Sequence, residues 1–255
     1  MSEGTYRRYV AVGDSFTEGV GDVDDSRPNQ VRGWADRVAE VLAARDPDFS
    51  YANLAVRGRT LRRILDEQLA PAVAMEPDLV TIYAGANDVL RPQVDLDELV
   101  AGYDRGVAAL AGTGARVLVW TAFDPGQAPV LRAARGRFAT YNELVREMAD
   151  VHGATVVDFW RMREYRDPRL WDTDRFHLSP LGHARMAFAV LDVLGVDHGL
   201  VHDVLDPLPE VPQREARQAT RAWVRGFALP WLGRRLRGTS SGDGLAPRRP
   251  TLGPL

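Results

Sequence analysis

Two stretches of the chain hold side chains of the kinds that nucleophilic catalysis uses. The first is Gly13-Asp14-Ser15-Phe16-Thr17-Glu18-Gly19, which follows the apolar run Tyr9–Val12 directly. A serine presented there, on a turn after a strand, has its Oγ free to face a cleft; the same position also suits a helix N-cap or turn serine. The second stretch runs from Trp171 to Pro180 and contains Asp172, Asp174 and His177 ahead of a helix start at Ser179-Pro180. Asp174, three residues before His177, can reach the imidazole Nδ1 and hold its tautomer while Nε2 faces Ser15. Asp172 competes for that place. Of the other histidines, His152 ends a helical segment and His198 and His202 follow the last helix, so they read as structural or exposed. His183, one turn into a helix, reads as a capping or packing residue.

Two further residues could stabilise an oxyanion. Asn87, in Gly85-Ala86-Asn87-Asp88 after an apolar run, can offer its side-chain N–H, or simply form an Asx turn. Gly58 lies just ahead of a helical segment, where unpaired backbone N–H groups suit an anion, although a helix-entry glycine needs no function.

Composition narrows the chemistry. The 255 residues include no cysteine, and all 32 basic residues are arginine. Schiff-base and pyridoxal chemistry, a Walker-type phosphate lysine, thiolate nucleophiles, disulfides and thiolate metal sites are thereby excluded. Nucleophilic work falls mainly to Ser, Thr, Asp, Glu or His. Ser15, in Gly13-Asp14-Ser15-Phe16-Thr17, does not sit in the nucleophile-elbow pattern GxSxG of the α/β-hydrolases.

The elements that must position these residues follow from patterning. Continuous apolar runs at Tyr9–Val12, Tyr51–Leu54, Leu79–Ala84, Val117–Thr121 and Thr155–Phe159 read as strands buried on both faces. Between and after them, Trp34–Ala44, Leu61–Val73, Leu96–Leu110, Arg132–His152 and Pro180–Leu194 have helical period. The alternation predicts a three-layer α/β/α sandwich on a five-stranded parallel sheet, flavodoxin-like, with any ligand beyond the carboxyl ends of the strands. A catalytic domain over 1–205 is expected, then a Pro-rich linker at 206–212, a basic helical extension over 213–237 and a disordered tail over 238–255. Residues 213–255 carry nine arginines against two acids, and the remainder 23 against 33. That segregation favours a helix docked on the acidic body over one lying on a membrane surface, and does not point to nucleic acid. No apolar run nears the roughly 20 residues of a membrane span, and the N-terminus lacks the apolar segment of a signal peptide, so a cytoplasmic location is expected.

In this order and at these sheet positions, Gly13-Asp14-Ser15, Gly58, Gly85-Ala86-Asn87-Asp88 and Asp174-x-x-His177 resemble the four blocks of the SGNH hydrolases, also called GDSL esterases/lipases. The resemblance spans about residues 8–195. Phe16 stands where GDSL members usually have leucine. The resemblance implies a carboxylic-ester hydrolase without metal or organic cofactor, acting on a small-molecule acyl ester. It implies Ser15 as nucleophile, His177 as base, Asp174 as its orienting partner, and Ser15, Gly58 and Asn87 as the oxyanion hole. The family also includes lysophospholipases, thioesterases, carbohydrate O-deacetylases and acyltransferases, separated by loops such as 21–32, 123–130 and 161–172. Arg27, Arg32 and the arginines of 161–169 could meet an anionic headgroup or merely be solvated. Two rivals stand outside the family. A flavodoxin-like nucleotide- or flavin-binding module would use Ser15 and Thr17, and a metal-dependent phosphoesterase would use Asp14, Asn87, Asp88, Asp174 and His177.

Overall fold

In the computed structural model, residues 5–127, 131–200, 204–230, 233 and 240–255 are described. Strand β1 (Arg8–Gly13) is followed by a single-turn helix α1 (Ser15–Glu18), helix α2 (Gly33–Ala43) and β2 (Ser50–Asn53). Next, α3 (Leu61–Ile64) passes through a wider π-type turn at Leu65–Leu69 into α4 (Ala70–Ala74). Then come β3 (Leu79–Tyr83), the short α5 (Ala86–Val89), α6 (Leu96–Ala111), β4 (Arg116–Trp120), α7 (Arg135–His152), β5 (Thr155–Val157) and α8 (Pro180–Leu194). Helix α9 (Gln213–Trp223) and strand β6 (Arg249–Gly253) complete the chain.

The five predicted strands form parallel pairs in the order β5-β4-β3-β1-β2, buried along almost their whole length as their apolar runs require. Helices α2 and α8 pack on each other, while α3, α4 and α7 pack around or beside α6. This is the α/β/α sandwich expected. The order reverses between β1 and β3, so their carboxyl ends open the crevice where open parallel sheets bind ligands.

The sheet has six strands rather than five. Residues 249–253, expected to be disordered, pair antiparallel with β2 at the sheet edge. An edge strand tolerates Pro250 and polar side chains, which is why this segment does not read as strand. Its anchor is Arg248, whose guanidinium reaches both carboxylate oxygens of Asp36 at 2.5 and 3.1 Å, with neither side chain exposed. Residues 204–212 have no regular structure, and α9 continues through a π-type turn at Val224–Ala228. The arginines of α9 at 214, 217 and 221 are exposed; its buried side chain is Trp223. His202 and the expectations for residues 231, 232 and 234–239 lie outside the described residues. Among the described residues, no helix is long and apolar enough to cross a membrane.

Candidate active site

The end of β1 is held by the π-type turn between α3 and α4. Buried Gln68 accepts from the Gly13 N–H at 2.8 Å and donates back to the Gly13 carbonyl at 2.9 Å. The chain then enters α1 with Asp14 as its N-cap, accepting from the Phe16 N–H at 3.0 Å. Since Asp14 does the capping, Ser15 is released from that duty. Among the described residues the Ser15 hydroxyl has no hydrogen-bond partner, and it faces a cavity of about 80 Å³.

The same cavity is lined by Asn87 and His177. Asn87 sits in α5, immediately after Gly85, whose backbone adopts φ +84°. A side chain at Gly85 would run into the Tyr141 ring, whose hydroxyl donates to the Ala84 carbonyl at 2.6 Å. The Asn87 amide nitrogen donates to Asp14 Oδ2 at 2.9 Å and to the Arg59 carbonyl at 3.3 Å, so it is aligned between the first and second loops. Asp88, next in the chain, accepts from the Leu61 N–H at 2.9 Å and so fixes the start of α3. Burial pushes the Asp14 carboxyl up to about 7; the Phe16 N–H and His177 oppose this, while Asp88 and Glu18 add to it.

His177 Nδ1 lies 2.5 Å from Asp174 Oδ2, and Asp174 Oδ1 accepts from the Phe176 and His177 N–H groups at 2.8 and 3.0 Å. Burial alone would raise the Asp174 pKa, but the hydrogen bond to the imidazole, its charge and the two backbone donors outweigh it and hold the carboxyl below its ordinary value. The competitor Asp172 turns its carboxylate onto Thr173 instead, leaving His177 to Asp174.

Gly58 does not line the cavity. It is exposed, at φ +77°, in a loop held by its neighbour Arg57. Glu18, fully buried at the end of α1, accepts from the Arg57 N–H at 2.6 Å and from its guanidinium at 2.8–3.1 Å. The N–H groups of Ser15 and Gly58 donate no hydrogen bond among the described residues. His183 is buried: its Nδ1 accepts from the Trp34 N–H and its Nε2 lies 3.1 Å from the Val20 carbonyl, and burial pushes its pKa down to about 4. Asp104 and Asp192 occupy His152 and His198.

Gln68 and Glu18 were not singled out from the sequence. Gln68 left a trace, since it interrupts the apolar stripe of Leu61, Ile64, Leu65 and Leu69 four residues after Ile64. The rest of the cavity wall is apolar and largely aromatic. Phe16 packs on Tyr83 at 4.3 Å and Phe159 at 5.7 Å, and Phe123 on Trp171 at 5.2 Å between ring centroids.

The fold has known counterparts. An α/beta hydrolase enzyme, LAE5, from the metagenome of Lake Arreo superposes with a TM-score of 0.61 at 27% identity, over 74% of this chain and 95% of that one. Axe2, an acetylxylan esterase from Geobacillus stearothermophilus, is 24% identical with a TM-score of 0.59, over 77% and 98%. TesA is 21% identical with a TM-score of 0.61, over 73% and 97%. The last two likenesses speak to the fold. No curated protein matches the chain significantly. The model of the GDSL-like lipase/acylhydrolase family matches residues 11–185, a span that contains every described residue lining the cavity, and the chain belongs to that family of ester hydrolases.

Proposed function

We propose that the protein hydrolyses carboxylic esters with small, uncharged acyl groups, using Ser15 as nucleophile, His177 as base and Asp174 as its orienting partner. The carrying observation is the shared cavity: an unbonded Ser15 hydroxyl and an imidazole whose Nδ1 is taken by Asp174, leaving Nε2 for the serine. Ser15 Oγ bonds to the ester carbonyl carbon as its proton passes to His177 Nε2. The carbonyl oxygen becomes an oxyanion, met by the Ser15 N–H and by the Asn87 amide, which gives up its longer bond to the Arg59 carbonyl to do so. Collapse breaks the bond to the leaving oxygen, which takes the proton from His177. Water then attacks the acyl-serine by the same proton route and restores Ser15.

The acyl preference rests on the walls. The cavity is small, about 80 Å³, and among the described residues no charged side chain lines it apart from Asp14 and His177. Arg27 and Arg32 both end on Glu40, and Arg169 on Asp167, rather than on the cavity. The carboxylates a metal site would need are likewise engaged, Asp88 on Leu61, Asp174 on His177 and Asp14 on Phe16 and Asn87.

A fluorophosphonate should label wild-type protein at Ser15 and leave Ser15→Ala unlabelled, with ester hydrolysis insensitive to EDTA. In a p-nitrophenyl ester series, kcat/KM should be greatest at acetyl to butyryl. A maximum at ten or more carbons would overturn the small-acyl reading; labelling away from Ser15 would overturn the triad.

A further inference from the structure

The chain beyond the family match returns to the loop that carries Asp174 and His177. Trp223, at the end of α9, is only 6% exposed, in a helix otherwise almost wholly exposed. Its indole Nε1–H donates to the Asp174 carbonyl at 2.7 Å. The Arg175 guanidinium lies 5.3 Å over the Trp223 ring, and the Phe176 ring packs against it at 5.4 Å. One side chain thus touches three successive residues of the loop, the last of which is followed by His177.

The loop has reason to need a clamp. Arg175 adopts φ +57°, a left-handed conformation that costs a non-glycine residue stability and persists only where surrounding contacts impose it. Phe176 and His177 both line the cavity, so a change in the turn at Arg175 would move them together. The extension is itself anchored further on. Ser240 Oγ donates to the Arg57 carbonyl at 3.3 Å and Asp243 pairs with Arg63 at 3.2 Å. Beyond them lie the buried Arg248–Asp36 pair and β6. Ser240 also occupies the space that a side chain at Gly58 would fill.

We infer that Trp223 is a positioning residue for hydrolysis, holding the Asp174–Phe176 turn so that Asp174 and His177 keep their geometry. The inference rests on the proposed triad. It is tested with Trp223→Phe in the full chain, which keeps an aromatic ring but loses the indole donor and part of the ring face. Trp223→Ala removes ring and donor. Rates are normalised to active sites counted by fluorophosphonate, so that misfolded molecules do not enter. A single neutral hydrogen bond lost from the turn should lower kcat per active site about tenfold in Trp223→Phe, with KM within about twofold. The far-downfield proton resonance of the His177–Asp174 hydrogen bond should broaden or shift. Val145→Ala, a core change in α7, serves as the stability control: it should lower Tm while leaving kcat per active site and that resonance unchanged.

Wild-type rates per site and an unmoved resonance in Trp223→Phe would overturn the inference while leaving the triad standing. A wild-type protein that Ser15-directed labelling does not reach would overturn both.

Discussion

Replacing Asp174 by asparagine isolates the electrostatic part of the proposed mechanism. The amide oxygen of Asn can still accept from the Phe176 and His177 N–H groups, now 2.8 and 3.0 Å from Asp174 Oδ1, so the turn should survive. What changes is the oxygen 2.5 Å from His177 Nδ1, which becomes an NH2 donor or an uncharged partner. As a donor it forces the proton onto Nε2, the nitrogen that must accept from Ser15. It also removes the charge that stabilises the imidazolium formed in the transition state. The side chains of His177 and Asp174 are 27% and 21% exposed, a setting in which an effective dielectric near 20 applies. With charge centres about 4 Å apart, the lost attraction is about 4 kcal/mol, or about a thousandfold in kcat. Steady-state hydrolysis of a short-chain p-nitrophenyl ester, per folded molecule by circular dichroism, measures it. Asp172→Asn, whose carboxylate serves Thr173, should stay within about twofold of wild type. A fall of less than tenfold in Asp174→Asn, or a larger one in Asp172→Asn, would refute the reasoning.

Asn87→Ala should lower kcat by roughly 2.7–4 kcal/mol of transition-state stabilisation and leave KM little changed; an effect confined to KM would remove Asn87 from the oxyanion hole. Arg248→Met strands the Asp36 carboxylate in the interior and should cost about 3–5 kcal/mol, lowering Tm by about 10 °C, with much of the loss restored by adding Asp36→Asn. Equal melting of wild type and Arg248→Met would contradict the anchoring of β6. Folding holds His183 neutral at a pKa of about 4 against 6.5 in the open chain, so between those values the unfolded state binds the extra proton. Its contribution is therefore complete above pH 6.5 and is lost as pH falls towards 4, by about 3 kcal/mol. His183→Gln, which can donate and accept without titrating, should flatten that part of the stability–pH curve from denaturant melts; parallel curves would argue against a buried neutral His183.

Much of the site is legible in the chain because its parts are local. Ser15 sits two residues beyond the last residue of a strand, and Asp174 and His177 share one loop, so proximity in sequence becomes proximity in space. Asn87 and Gly58 were weak signals that the resemblance to SGNH hydrolases strengthens, and the structure lines the cavity with Asn87 and leaves Gly58 exposed and outside it. The residues that escaped notice act across the fold. Gln68 holds Gly13 from 55 residues away, Glu18 holds Arg57 from 39, and Trp223 holds Asp174 from 49.

By itself the sequence determined the layered α/β class, because strands buried on both faces demand unbroken apolar runs and the intervening helices show their period directly. It also determined the kinds of chemistry, since a chain without cysteine or lysine leaves serine, histidine and carboxylates to act. Only the tertiary structure decided which carboxylate serves His177, which side chains wall the cavity, and that residues 249–253 form a sixth strand. The reason is physical. A buried polar group must be paired, but its own identity says nothing of where in 255 residues the partner lies. Arg248 reads as one more surface arginine until the fold carries it 212 residues back to Asp36 and closes both away from water.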